Sequence, residues 1–256
     1  MTAPSPPEGF TCLPGTEPMG PGQATCVFGV ERDGEAYVCK RLGPRALDES
    51  WMRERLVAEG RLLARLGGHA TPRLVASGED AHGPWIVMTR IAWPPLASRA
   101  ASRDAPWLES AATVAYDALA TVHAADVVHA DISPDNVLVS ADGARAALVD
   151  FGLALAPMMP TLPRGPFRGT LLYAAPEVAR GEPFDRRADL FAMAASLLHV
   201  WSGEAPRLQA TDGAMLLVAG EQGIEAWAER AARGLAPEVA RTLVMRCSFD
   251  AKRRLA

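Results

Sequence analysis

From Val127 to Gly152 the chain reads Val127-Val128-His129-Ala130-Asp131-Ile132-Ser133-Pro134-Asp135-Asn136-Val137-Leu138-Val139, a short turn, then Ala147-Leu148-Val149-Asp150-Phe151-Gly152. Apolar β-type runs flank a polar loop, and Asp142-Gly143 is a strong hairpin signal. Such a hairpin sets Asp131, Asn136 and Asp150 at one end. Two carboxylates and an amide there suit hard cations such as magnesium, held through oxygen, and one carboxylate can accept a proton. The same residue types also serve plain turns, so the pattern alone leaves both readings open.

The surrounding order narrows the choice. His-x-Asp, an Asn five residues after the Asp, then Asp-Phe-Gly is the order of the catalytic and metal loops of protein kinases. From about Gly20 to Leu255 the chain resembles the eukaryotic-type Ser/Thr protein kinases, including their bacterial members. The resemblance implies an α+β, bilobal fold. A small antiparallel N-lobe sheet with one helix is expected over about 20–91, and a larger, mainly helical C-lobe over about 92–256. The whole of 1–256 reads as a single kinase domain that stops before the family's last helix.

Composition agrees. Length allows one large domain or two lobes, and half the residues are apolar, which predicts a packed core. A net charge of −4 gives no reason to expect nucleic acid as the partner. No secretory signal opens the chain, and the longest apolar run, Leu190 to Trp201, is too short to span a bilayer. Cys12, Cys26, Cys39 and Cys247 lack close metal-ligand spacing, so reduced thiols in a cytoplasmic protein are expected. Lys40 and Lys252 are the only lysines in an arginine-rich chain. A lysine kept at one strand position is consistent with a need for a compact ammonium.

Residues 1–19, dense in Pro, Gly, Ser and Thr, predict a loosely ordered lead-in. The Gly20-Pro21-Gly22 stretch that follows resembles the phosphate-cradling Gly-x-Gly-x-x-Gly-x-Val loop, with Thr25 at the third glycine and Val27 at the valine. After an Asp33-Gly34 turn, Tyr37 to Lys40 predicts a strand. Spacing predicts a helix over Asp48–Leu66, with Leu56, Leu62, Leu63 and Leu66 as its apolar stripe and Gly67-Gly68 as its stop. Strands are expected at Pro72–Ser77 and Trp85–Ile91, and helices at Trp107–Ala125 and Asp185–Trp201, with two or three more helices beyond.

The resemblance also implies roles. Lys40 contacts the α- and β-phosphates of ATP, and Glu59 holds it there, with Glu54 as the competing partner. Gly20, Gly22, Val27, Val38, Met88, Thr89, Ile91 and Leu138 complete the nucleotide site. Met88 is the gatekeeper by this reading and equally an ordinary core residue. Asp150 and Asn136 bind Mg2+, Asp131 receives the acceptor proton, and Thr170 belongs to the segment through Glu177 that holds a protein acceptor. Glu177 pairs with Arg254, Asp189 braces the catalytic loop's amides, and His129 packs beneath the site.

Two departures stand out. Ala130 replaces the arginine that commonly receives an activation-loop phosphate, so activity is expected not to depend on one. Ser133 replaces the catalytic-loop lysine, with Arg164 or Arg168 as the expected substitute. The expected activity is ATP- and magnesium-dependent transfer to Ser or Thr of protein. The alternatives are a nucleotide-binding pseudokinase or, less well matched, a small-molecule kinase of the aminoglycoside or choline type.

Overall fold

In a computed structural model, the described residues are 5–16, 25–43, 46–101, 104–163, 169–207 and 218–254. The chain divides into two compact units, the first comprising Met1–Ala92 with Pro157–Pro163, the second Trp93–Ala156 with Arg164–Ala256. This is the α+β, bilobal architecture of the sequence reading.

The first unit is built on a five-stranded antiparallel sheet. Its strands are β1 (Thr11–Cys12), β2 (Thr25–Arg32), β3 (Glu35–Leu42), β4 (Leu74–Asp80) and β5 (Gly83–Thr89), in the order β1-β2-β3-β5-β4. Asp33 and Gly34, at φ 55° and 78°, make the tight turn that joins β2 to β3. Alternation along these strands directs Phe28, Val30, Cys39 and Val87 into one cluster, and Phe10 joins it. Residues 5–16 therefore differ from the expected loose lead-in. Burying Phe10 and pairing Thr11 and Cys12 with Glu31 and Val30 tie this stretch to the sheet despite its Pro- and Gly-rich composition.

Helix α1 (Ser50–Leu66) buries Leu56, Leu62, Leu63 and Leu66, as the spacing predicts. A Cβ on Gly60 would lie 2.9 Å from an Ile86 methyl, so the missing side chain is what lets α1 approach β5 closely. Gly67, at φ 67°, ends the helix by donating its N–H to the Leu63 carbonyl. The strands expected at Pro72–Ser77 and Trp85–Ile91 are shifted by about two residues. Pairing registers from the Asp80–Gly83 turn, where Gly83 has φ 90°, so the ladder runs from there to Leu74 and Met88.

The second unit is mainly helical. Helix α2 (Ala105–Ala124) starts where the Asp104 side chain accepts from the Trp107 N–H. The hairpin of β6 (Val137–Val139) and β7 (Ala146–Leu148) turns through Gly143, at φ 71°. There follow α3 (Pro176–Ala179), α4 (Arg186–Ser202), α5 (Glu225–Ala231) and α6 (Pro237–Arg246). Helix α4 is buried almost all round from Ala188 to Ser202, and α2, α5 and α6 pack on it. The Glu177 carboxylate receives Arg254 at 2.6 and 3.1 Å, and that guanidinium is fully buried. No described helix is long and apolar enough to cross a membrane.

Candidate active site

In the second unit, the site is built outward from a buried carboxylate. Asp189, in the first turn of α4 and 1 % exposed, accepts the backbone N–H groups of His129 and Ala130, each at 2.8 Å. It also meets His123 Nε2 at 2.9 Å. Charge-assisted bonds from a fixed helix hold the loop in a conformation it would otherwise resist. Ala130 has φ 65°, a left-handed geometry that costs a residue with a Cβ about 1–2 kcal/mol. Asp150 shares that φ, and non-glycine residues held so tend to mark functional loops.

Next to Ala130, the loop presents Asp131. Asn136 Nδ2 donates to the Asp131 carbonyl at 2.9 Å and to Oδ2 at 3.3 Å. With its nitrogen so engaged, Asn136 offers its amide oxygen as the free donor for a cation. The Asn136 main chain is itself fixed, its N–H donating to Ser133 and its carbonyl accepting from Val149. Asp150 Oδ1 accepts the Gly152 N–H at 3.2 Å. The His129 ring lies 4.7 Å from the Phe151 ring, tilted by 53° to it, and its Nε2 meets the Val149 carbonyl at 3.0 Å. These contacts tie His129 to the Val149–Phe151 segment.

Thr170 completes this half. Both its N–H and its hydroxyl donate to Asp131 Oδ1, each at 2.9 Å. Burial raises the Asp131 carboxyl above its ordinary value; the Thr170 hydroxyl and His129 oppose the shift, and the neighbouring Asp150 charge adds to it. A shallow depression lined by Asp131, Thr170, Tyr173, Ala174 and Val178 opens beside this carboxylate. Ser133 is 2 % exposed and contributes no charge. Arg164 and Arg168, its expected substitutes, lie outside the described residues.

The first unit carries the second group of residues. Lys40 Nζ on β3 donates to both carboxylate oxygens of Glu59 on α1, each at 2.8 Å, with the two residues 3 % and 2 % exposed. Glu54 is exposed on the same helix, which decides between the two candidates for Glu59. Val27 lies opposite Lys40 across β2 and β3 and is 48 % exposed, an open apolar surface on a strand. Val38 pairs with Met88 across β3 and β5; Met88 is buried, while Thr89 and Ile91 are partly exposed. Leu138, on β6 of the second unit, is also partly exposed. Gly20 and Gly22 lie outside the described residues.

Among the described residues, no three His, Cys, Asp or Glu side chains cluster as a self-sufficient metal cage. Asn136 and Asp150 offer an amide oxygen and a carboxylate, a set that suits magnesium sharing its coordination with phosphate and water. Two contacts were not read from the sequence. His123, one residue before the end of α2, completes the Asp189 cluster, and Arg55 on α1 donates to the Pro160 carbonyl. A helical histidine and a main-chain acceptor carry no spacing signal that would have found them.

The family model described as "Protein kinase domain" matches residues 15–248. Among similar proteins is a probable serine/threonine-protein kinase, PkwA, of Thermomonospora curvata, 28 % identical over 177 residues, 68 % of this chain and 24 % of the relative. The DNA damage-responsive serine/threonine-protein kinase RqkA of Deinococcus radiodurans is 35 % identical over 172 residues, 64 % of this chain and 26 % of the relative. The serine/threonine-protein kinase PknJ of Mycobacterium tuberculosis is 43 % identical over 107 residues, 40 % of this chain and 18 % of the relative. The aligned part thus spans about a quarter or less of each of these relatives. With the family model covering most of its length and the expected loops in order, the chain belongs to the protein kinase domain family.

Proposed function

We propose that the chain is a Ser/Thr protein kinase domain, transferring the γ-phosphate of ATP to hydroxyls of a protein substrate with magnesium as the metal. The observation that carries this reading is the Thr170 hydroxyl seated at 2.9 Å on Asp131, a carboxylate whose loop is gripped by Asp189. A carboxylate placed to accept one hydroxyl proton suits the same task for an incoming acceptor.

Phosphoryl transfer needs positioning and charge neutralisation more than covalent help. Lys40, oriented by Glu59, holds the α- and β-phosphates. Val27, Val38, Met88, Thr89, Ile91 and Leu138 are assigned to adenine binding, and Gly20 and Gly22 to phosphate binding. Asn136 and Asp150 hold Mg2+, which neutralises charge on the phosphates. Asp131 orients the acceptor hydroxyl and takes its proton, and Thr170 helps set that carboxylate. The reading makes 1–256 one kinase domain. It also places the chain in the cytoplasm, where ATP is supplied and where Cys12, Cys26, Cys39 and Cys247, all free thiols, stay reduced.

A pseudokinase reading is favoured by one observation: Ser133 supplies no cation where the family has lysine. Losing one charge-stabilising donor costs about 10²–10³ in rate, which slows an enzyme without abolishing it. Incubation with labelled ATP and magnesium, with protein, amino-sugar and alcohol acceptors, separates the cases. Label on protein supports the kinase. Nucleotide binding without transfer supports the pseudokinase, and label only on the small acceptors supports a small-molecule kinase.

A further inference from the structure

Arg207 lies past the C-terminal end of α4 and is 6 % exposed. Its Nη1 donates to the Leu172 carbonyl at 2.9 Å, and its guanidinium carbon lies 5.7 Å from the centre of the Phe191 ring. Nε and Nη2 are buried with no hydrogen-bond partner. Burial pulls this guanidinium down to about 10, so it is still charged at neutral pH, and no described carboxylate offsets the burial. Arg254 makes the contrast. It lies 4.7 Å from the same ring, and Glu177 with the Ser248 and Phe249 carbonyls takes its N–H groups.

A buried cation with two unpaired nitrogens works against stability. An apolar side chain of similar volume would avoid that penalty. What Arg207 does satisfy is one carbonyl of the Leu171–Tyr173 turn. There the Thr170 and Leu171 carbonyls accept from the Tyr173 and Ala174 N–H groups, while the Leu172 carbonyl takes the guanidinium. Leu172 stands between two residues that line the depression beside Asp131. Thr170 is bonded to Asp131, and Tyr173 Oη meets His199 Nδ1 at 2.8 Å.

We propose that Arg207 is a positioning residue for the protein acceptor: by holding the Leu172 carbonyl it fixes the Thr170–Tyr173 turn, and with it two walls of the depression beside Asp131. The bond is to main chain, so it acts through the turn and touches no acceptor itself. Its consequence for transfer rests on the kinase reading above; the anchor does not.

The test uses the full chain as wild type, Arg207→Met and Arg207→Lys. Amide hydrogen exchange at Tyr173 and Ala174 reports the anchor, and melting temperature reports the fold. Steady-state kinetics with ATP and the best-labelled member of a degenerate Ser/Thr peptide library report the acceptor site. Arg207→Met should melt at or above wild type, yet exchange at both amides should quicken by about 10–100-fold, the worth of a hydrogen bond to a charged group. Its kcat/KM for the peptide should fall by a similar factor, mostly through KM, with KM for ATP within about twofold of wild type. Arg207→Lys, still a donor, should recover part of the exchange protection and of the peptide KM. Unchanged exchange in the Met variant overturns the anchor, and faster exchange with an unchanged peptide KM overturns the positioning role. A Met variant that melts well below wild type, or does not fold, makes Arg207 a residue of the fold and overturns the proposal. If wild type labels no peptide, the kinase reading fails and exchange still decides the anchor.

Discussion

Lys40 and Glu59 meet at 2.8 Å through both carboxylate oxygens, joining strand β3 to helix α1 in a nearly dry setting. Removing one partner of a buried ion pair typically costs about 3–5 kcal/mol, because the other charge stays inside. Lys40→Met should therefore lower stability by that order, measured by urea denaturation. Lys40→Met combined with Glu59→Leu should regain much of the loss and still transfer no phosphate. Restored transfer in the double variant would show that the pair only supports the fold.

Asp189 accepts two backbone N–H groups on behalf of a loop with a left-handed Ala130. Asp189→Ala leaves both donors unpaired at about 1–3 kcal/mol each, so a loss of roughly 2–6 kcal/mol is expected by chemical denaturation. Transfer should fall further than folding alone accounts for, since the Asp131 loop loses its brace. Retained turnover in the folded fraction would contradict the brace.

Burial raises the Asp131 carboxyl, and the consequence for pH has a definite sign. The ionised form is disfavoured in the folded chain relative to the unfolded one. Its contribution to stability is full below the unfolded carboxylate value and is lost as pH rises through the raised folded value. Asp131→Asn should therefore be more stable than wild type at neutral pH, with the advantage disappearing in acid, while transfer falls by about 10²–10⁴. The wild-type rate should fall with acid at a pH above the ordinary carboxylate range. Thermal melts and kcat/KM across pH check both halves.

Ala130 offers no cation to an activation-loop phosphate, and the Thr170 hydroxyl is occupied on Asp131. A phosphate on Thr170 would set like charge against that carboxylate. Treatment with a protein phosphatase should therefore leave transfer to an added substrate within about twofold of the untreated rate, a difference of under 0.5 kcal/mol in the barrier. Loss of activity on dephosphorylation would mean that some other cation receives a required phosphate.

Much of the second unit's site was legible because its chemistry rests on residue type at fixed spacing. His129, Asp131, Asn136 and Asp150 lie close together in sequence, on the segments flanking the β6–β7 hairpin. Two long-range pairs, Lys40 with Glu59 and Glu177 with Arg254, were readable only through the family resemblance, since nothing local joins residues 19 and 77 positions apart. Both are present. What escaped reading was tertiary. Phe10 is ordered by a sheet face that must be covered, although its neighbours have loop composition. Arg55 reaches a carbonyl, and every residue has one, so its partner leaves no mark in the sequence. The strand ends near residues 72 and 91 moved because pairing is set by the Asp80–Gly83 turn, not by where the apolar run begins.

The most direct test of the central claim is transfer of label from γ-labelled ATP with magnesium to protein, comparing folded wild type, Lys40→Met and Asp131→Asn at equal concentration. Wild type should label protein, and each variant should fall by about 10² or more if Lys40 and Asp131 have the roles proposed for them. Equal labelling in all three proteins would contradict the account.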